Sequence, residues 1–248
     1  MKTASILGVQ FHAVTKKQAV ELAMSKLRAR QKGYVVTPNP EIVDLCRRDS
    51  EFMGIVNHAA LVLPDGIGII YAAKILGEGL PGRVPGIEFA EELCATMAKE
   101  NMRLFLLGAK PGIAEKAGAN LCAKFPGLVL AGTHDGYFKD TQQVVDAINA
   151  AGGADAVFVC LGAPKQEKFI AANIDDIHGT LFCGLGGSLD VFAGVSRRAP
   201  DIFIKLGLEW FYRLLKQPSR IGRMMKLPKF LFAAIGCKLR GKKHHGEG

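Results

Sequence analysis

Leu61-Val-Leu-Pro-Asp65-Gly66-Ile67-Gly68 decides how this chain is to be read. An apolar run ends at Pro64, a carboxylate follows at once, and two glycines open a new segment. A buried strand of a parallel sheet delivers polar groups to the sheet's carboxyl rim in just this way, and α/β proteins keep their ligands there. The same residues also describe a strand-to-helix turn whose Asp caps the helix. Spacing alone leaves both readings open.

Working outward, similar apolar runs occur at residues 33–37, 103–107, 128–132, 156–161 and 179–184. Their hydrophobicity is continuous rather than alternating, which predicts strands buried on both faces. Helix-like segments separate them. Thr15 reads as the N-cap of a helix over 16–31, with Ala19, Leu22, Ala23 and Leu27 on one face. Pro38-Asn39-Pro40 forces an extended turn before a helix over 41–49. Further helices are predicted over 66–76, 87–101, from 112 to about 124, over 140–151, and after Gly162-Ala-Pro-Lys165-Gln166-Glu167. Residues 4–8 and 9–13 make a short β-like start. The expectation is an α/β fold, a parallel sheet flanked by helices. Glycine-bearing turns follow the strands at Leu63, Leu107, Leu161 and Phe182, so one edge of the sheet should lie open to a ligand. The Gly- and Pro-rich stretch 77–86 is expected to be a loop carrying an exposed cation, Arg83.

Composition narrows the class. Hydrophobic residues make up 49% of the 248, enough for a sizeable core, yet no apolar run reaches the roughly 18 residues of a membrane span. The N-terminal apolar stretch is too short for a signal peptide, which points to a cytoplasmic protein. Six scattered cysteines without a C-x-x-C pair read as reduced structural thiols. His244-His245 reads as a solvated terminus rather than a ligand pair. The net charge of +9 is concentrated: Arg197 to Lys243 holds 13 Lys and Arg against two acids, leaving 19 basic and 21 acidic residues elsewhere. A near-neutral body with a basic C-terminal segment implies an anionic partner.

Several stretches could carry chemistry. Gly108-x-x-x-Gly112 enters a helix, and Gly184-x-Gly186-Gly187 follows a strand, so backbone N–H groups there suit a diphosphate. Leu189 stands where G-x-G-x-x-G needs its third glycine, and no P-loop pattern occurs, which weakens a dehydrogenase or P-loop reading. Lys165 and Gln166 follow a strand directly, and Thr37 and Asn39 stand at an equivalent place. Each pair suits substrate hydroxyl or phosphate contact, or simply starts a helix.

In the basic segment, Arg197 and Arg198 precede a helix-like stretch over 202–216, where Phe203, Leu206, Trp210 and Leu214 are spaced 3, 4 and 4 apart. Arg213, Arg220 and Arg223 fall 7 and 3 apart. Residues 227–236 form a short apolar patch flanked by Lys226, Lys229, Lys238, Arg240, Lys242 and Lys243. Apolar and basic residues together suit an anionic membrane surface. Nucleic-acid binding is the competing reading, but beyond charge it has no recognisable module.

Taken in order, Thr37-Pro-Asn-Pro-Glu-Ile-Val43, Pro64-Asp65-Gly66-x-Gly68, Arg83-Val-Pro-Gly86, Phe105-Leu-Leu-Gly108-Ala-Lys-Pro-Gly112, Gly162-x-Pro-Lys-Gln-Glu167, Gly186-Gly187-x-x-Asp190-x-x-Ala-Gly194, Arg198-Ala-Pro200 and Gly207-Leu-Glu-Trp-x-Tyr-Arg213 resemble the WecG/TagA/CpsF glycosyltransferases over nearly the whole chain. The resemblance implies a Rossmann-like core (GT-E type) over 1–196 and a basic, helical, membrane-associating appendage over 197–248. It implies inverting transfer from a UDP-sugar to a polyprenyl-diphosphate-linked sugar at the cytoplasmic membrane face. N-acetylmannosamine and undecaprenyl-diphospho-N-acetylglucosamine are the best-known pair, serving teichoic acid, common antigen, capsule or exopolysaccharide synthesis. No metal or cofactor is implied, in keeping with the lack of a D-x-D motif, and no nucleic acid; a homo-oligomer is compatible with it. Asp65 matches the catalytic base. Thr37, Arg83 and Gln166 match polar residues of the active site, and Asn39, Gly108, Lys165, Gly187 and Asp190 stand beside them as substrate-binding candidates. Arg213, Arg220 and Arg223 match arginines that neutralise diphosphate, with Arg198 added as a fourth. The family's aromatic residue two positions beyond the Pro-Lys-Gln-Glu acid is present as Phe169.

Overall fold

A computed structural model describes residues 1–200, 202–203, 208–209, 211–212 and 226–244. Six strands form one sheet: β3 (Gly33–Val36), β4 (Leu61–Val62), β5 (Arg103–Gly108), β6 (Val129–His134), β7 (Ala154–Cys160) and β8 (Gly179–Gly184). Their order is β4-β3-β8-β7-β5-β6, and every neighbouring pair is parallel. The expected parallel sheet is present. The N-terminal β-like start is a separate antiparallel hairpin, β1 (Thr3–Ile6) and β2 (Val9–His12), turning on Leu7 and Gly8 at positive φ.

The helices are α1 (Lys16–Arg28), α2 (Pro40–Cys46), α3 (Ser50–Asn57), α4 (Ile67–Leu76), α5 (Gly86–Ala98), α6 (Ile113–Lys124), α7 (Thr141–Ala150), α8 (Lys165–Asn173), α9 (Ser188–Phe192) and α10 (Lys226–His244). Thr15 caps α1 in a capping box with Gln18. That helix stops before residue 31 because Arg30 adopts φ 49. The single helix expected over 41–49 is in fact the start of a pair. Asp49 accepts the Phe52 N–H at 2.9 Å and begins α3, whose buried Phe52 and Val56 stand four apart.

Both faces of the sheet are covered. Helices α1, α5, α6 and α9 pack on one face around Phe89, Leu93, Leu106 and Phe158. Helices α2, α3, α4, α7 and α8, with the hairpin, pack on the other around Phe11, Phe52, Phe105 and Phe182. Adjacent strand residues such as Phe105 and Leu106 therefore enter different cores, which is why the runs read as continuously apolar. The chain leaves β5 and β8 towards the first face and β3 and β7 towards the second. Neighbours β5/β7, β7/β8 and β8/β3 thus send their loops to opposite faces, the arrangement that in open α/β sheets places ligands at the carboxyl ends.

Gly108 lets the ends of β5 and β7 approach closely. It sits at φ 133, and a Cβ there would fall 2.3 Å from the carbonyl oxygen of Cys160. Gly108→Ala is expected to cost about 2–3 kcal/mol and lower the melting temperature by roughly 5–10 °C. Calorimetry checks this; an unchanged melting point would show that the ends of β5 and β7 part freely.

The basic segment closes on the core through α10. Phe230 and Ala234 are buried beside α2 and α4, and Lys226 Nζ lies 2.8 Å from Glu41 Oε1. Gly68 backs so closely on Leu227 and Pro40 that a Cβ would overlap both. Among the described residues no helix is long and apolar enough to cross a membrane. Leu206, Trp210 and Leu214 lie outside them.

Candidate active site

Asp65 follows β4 at the rim. Its N–H donates to Pro38 O at 3.2 Å, and Pro64 O accepts the Val84 N–H at 2.7 Å. Asp65 does not cap the helix that follows it. The N-cap of α4 is Gly66, at φ 89 and with no side-chain cap bond. Instead Oδ2 accepts the N–H of Gly86, the first residue of α5, at 3.3 Å. The residue before α5, Pro85, offers no capping side chain, so a carboxylate from another strand serves that helix end.

From Gly86 a line of contacts crosses the rim. A Cβ on Gly86 would lie 2.9 Å from Thr37 Oγ1. Thr37 is buried and donates to Gly184 O at 3.3 Å. A Cβ on Gly184 would in turn lie 2.9 Å from Gln166 Nε2. Gln166 is 2% exposed, and its Oε1 accepts the N–H groups of Gly162 at 3.2 Å and Gly186 at 2.9 Å. Asp65, Thr37 and Gln166 thus join the ends of β4, β3, β8 and β7 without a gap. Close approach of backbone explains why glycines recur in these turns.

The other candidates fall into two groups. Asn39 stands between Thr37 and α2, where Oδ1 caps the helix by accepting from Glu41 and Ile42 N–H. Gly187 begins α9 and Asp190 lies in its first turn, directly after the Gly186 amide held by Gln166. Lys165 turns the other way: Nζ donates to Gly136 O at 3.2 Å and sits 4.5 Å over the Phe138 ring. With Gly108 it belongs to the β5–β6–β7 end of the rim. Arg213, Arg220 and Arg223 lie outside the described residues.

Arg83 corrects an expectation. Its side chain is only 21% exposed and its Nη1 lies 3.8 Å from Glu209 Oε2. The loop expected to carry an exposed cation is tied down by Val84 and Gly86, which draws Arg83 onto the body. Arg83 also acts on Glu88 in the first turn of α5. Arg198 donates to Glu88 Oε1 at 2.8 Å, and Lys16 Nζ lies 3.5 Å from Oε2. Burial opposes ionisation of Glu88, but Arg198, Lys16 and Arg83 together outweigh it and hold the carboxyl below its ordinary range.

A depressed carboxyl stabilises the fold above its unfolded pKa, and that stability is lost as pH falls through the folded one. Arg198→Met is therefore expected to cost about 1 kcal/mol at neutral pH, with a gap that shrinks in acid. Melting curves at both pH values check it; a gap independent of pH would remove Glu88 as the partner that matters.

Glu88, Glu167 and Glu209 contact the candidate residues Arg198, Gln166 and Arg83, and motif reading did not single them out. Glu167 was legible only as the last letter of Pro-Lys-Gln-Glu. Glu88 and Arg198 stand 110 positions apart, and no local pattern links them.

A doubly wound parallel sheet with a carboxylate, a hydroxyl, a carboxamide and a guanidinium on its carboxyl edge defines an α/β enzyme for polar ligands. Residues 4–244 match the Glycosyl transferase WecG/TagA/CpsF family model, and the chain belongs to that family. It is a glycosyltransferase. Among its relatives, a Bacillus spizizenii protein is 36% identical over 227 residues, covering 92% of this chain and 88% of its own. A Staphylococcus aureus (strain MW2) protein is 36% identical over 241 residues, covering 96% and 94%. Both are named N-acetylglucosaminyldiphosphoundecaprenol N-acetyl-beta-D-mannosaminyltransferase.

Proposed function

We propose that the chain transfers N-acetylmannosamine from a UDP-sugar to N-acetylglucosaminyl-diphospho-undecaprenol, inverting the anomeric centre, with Asp65 as general base. The observation that carries this reading is the Asp65 carboxylate, fixed at the strand end by the Gly86 N–H and continuous with Thr37 and Gln166. The names of the relatives support the choice of sugar and acceptor. In the reaction the acceptor hydroxyl oxygen bonds to the anomeric carbon while the bond to the UDP oxygen breaks. The hydroxyl proton passes to Asp65, and the electron pair departs with the diphosphate. Arg213, Arg220 and Arg223 neutralise that diphosphate in this reading, with no metal ion, since guanidinium forks match phosphate oxygens.

A polyprenyl acceptor keeps its tail in the membrane, so the enzyme must come to it. The appendage, residues 197–248, serves this purpose in the proposal. On α10, Phe232, Ile235 and Leu239 are exposed at i, i+3 and i+7, and Lys229, Lys238 and Arg240 are exposed among them. Such a stripe suits an anionic lipid surface on the cytoplasmic side. The product then enters synthesis of a cell-surface polysaccharide such as teichoic acid.

Incubating the protein with a panel of UDP-sugars and a lipid-diphosphate N-acetylglucosamine, then detecting UDP, tests the reading. UDP release with UDP-N-acetylmannosamine, dependent on the acceptor, is expected. Release with another hexose or a uronic acid alone would replace the donor, and no acceptor dependence would overturn the reaction.

A further inference from the structure

The mechanism above leaves one buried acid at the rim without a task. Glu167, in the first turn of α8, is 0% exposed. Its Oε1 accepts from Gln166 Nε2 at 2.8 Å, while Oε2 has no hydrogen-bond partner among the described residues. A buried carboxylate with an unused oxygen carries a large desolvation cost that a well-packed core would otherwise remove. Its retention beside Gln166 calls for a reason.

The reason lies in the symmetry of a carboxamide. Gln166 could present either end of its amide to the loops. Only one orientation lets Oε1 accept from both Gly162 and Gly186, and the reverse would set an NH₂ against two N–H donors. An acceptor behind Nε2 selects the first. We propose that Glu167 is a positioning residue: by accepting from Gln166 it fixes the orientation of that carboxamide, and through it the approach of the loops leaving β7 and β8. That the loops matter for transfer rests on the function proposed above; the positioning role does not.

Burial pushes the Glu167 pKa up, and the hydrogen bond from Gln166 opposes this only in part. The group from another element that couples to it is Cys46 of α2, whose thiol is pushed up to about 12, first by burial and then by Glu167, and stays uncharged at neutral pH. On α8 itself, Lys168 pairs with Asp49 of the α3 cap, and Lys165 donates to Gly136.

Amide hydrogen exchange on the full chain tests the proposal in Glu167→Met and Glu167→Gln. The Met side chain keeps volume but has no acceptor oxygen, and it should speed exchange at Gly162 and Gly186 by about 10-fold or more while core amides of β5 and β7 stay protected. Glutamine retains an acceptor and should restore the parent rates. Parent protection in Glu167→Met, or equal loss in Glu167→Gln, would overturn the positioning role. Thermal unfolding between about pH 5 and pH 9 tests the effect of burial on this acid: an acid with a raised folded pKa loses stability as pH climbs past its unfolded value, so the parent should fall relative to Glu167→Gln. A gap that does not change with pH overturns that part, and this comparison stands even if Glu167→Met does not fold. Neither readout uses turnover, so a protein inactive on every UDP-sugar would sink the proposed reaction and leave this inference standing.

Discussion

Asp65→Asn is expected to fold as the parent does and to turn over at least about 100-fold more slowly, the usual weight of a general base. Asparagine has nearly the same shape and keeps one carbonyl oxygen that can accept the Gly86 N–H. The link from β4 to α5 therefore survives, and with it the seat of Thr37 against Gly86. What is lost, in the proposed reaction, is the ability to take a proton from the acceptor hydroxyl. Asp65→Ala separates the two roles, since it removes the helix-end acceptor as well and should cost a further ~1 kcal/mol of stability. UDP release under saturating donor and acceptor, beside a melting curve of each variant, makes the comparison. Turnover near the parent value in a well-folded Asp65→Asn would remove Asp65 as the base.

Replacing Phe232, Ile235 and Leu239 together by serine should weaken binding to vesicles rich in anionic lipid by about 100-fold or more, with the fold retained. These side chains are 72%, 40% and 60% exposed, so the folded chain draws little support from them. Each apolar side chain moved fully out of water is worth about 1.5–3 kcal/mol. Half of that, summed over three, is about 2.3–4.5 kcal/mol, a range that includes the roughly 2.7 kcal/mol that a 100-fold change represents. Phe230 and Ala234, on the buried side of α10, remain to hold the helix on α2 and α4. Deleting the whole appendage would be a poorer test, because it strips those two residues from the core. The basic residues add an attraction of about 1 kcal/mol each near the surface, which salt weakens. Binding that is unchanged in the triple variant would take α10 out of the membrane contact.

Much of the architecture was legible in single stretches. Buried parallel strands announce themselves because both faces need apolar side chains, and residues 103–107, 156–161 and 179–184 show this plainly. Thr15 and its capping box mark the start of α1 because the bonds involved span three residues. The break between α2 and α3 was missed because its cause is a single carboxylate, Asp49, whose capping bond looks like any polar residue in a helical stretch. The rim candidates were found as residues, but their relations were not. Asp65 reads equally as a base or as a cap of α4, and only the folded chain brings it to the N–H of Gly86 in a different helix.

The sequence by itself determined the kinds of element, the class of the sheet, the rim on which polar residues collect, and the concentration of charge in the C-terminal segment. These follow from hydrophobic period, turn chemistry and composition, which are local or additive. Tertiary structure alone decided the strand order, the pairing of half-buried Arg83 with Glu209, the pairing of Arg198 with Glu88, and the clamp that Gln166 and Glu167 place on two loops. Each of these depends on contacts between residues far apart in the chain or on the direction a side chain faces once packed. A carboxylate, an amide and two glycine N–H groups hold no fixed relation until the sheet brings their strand ends together.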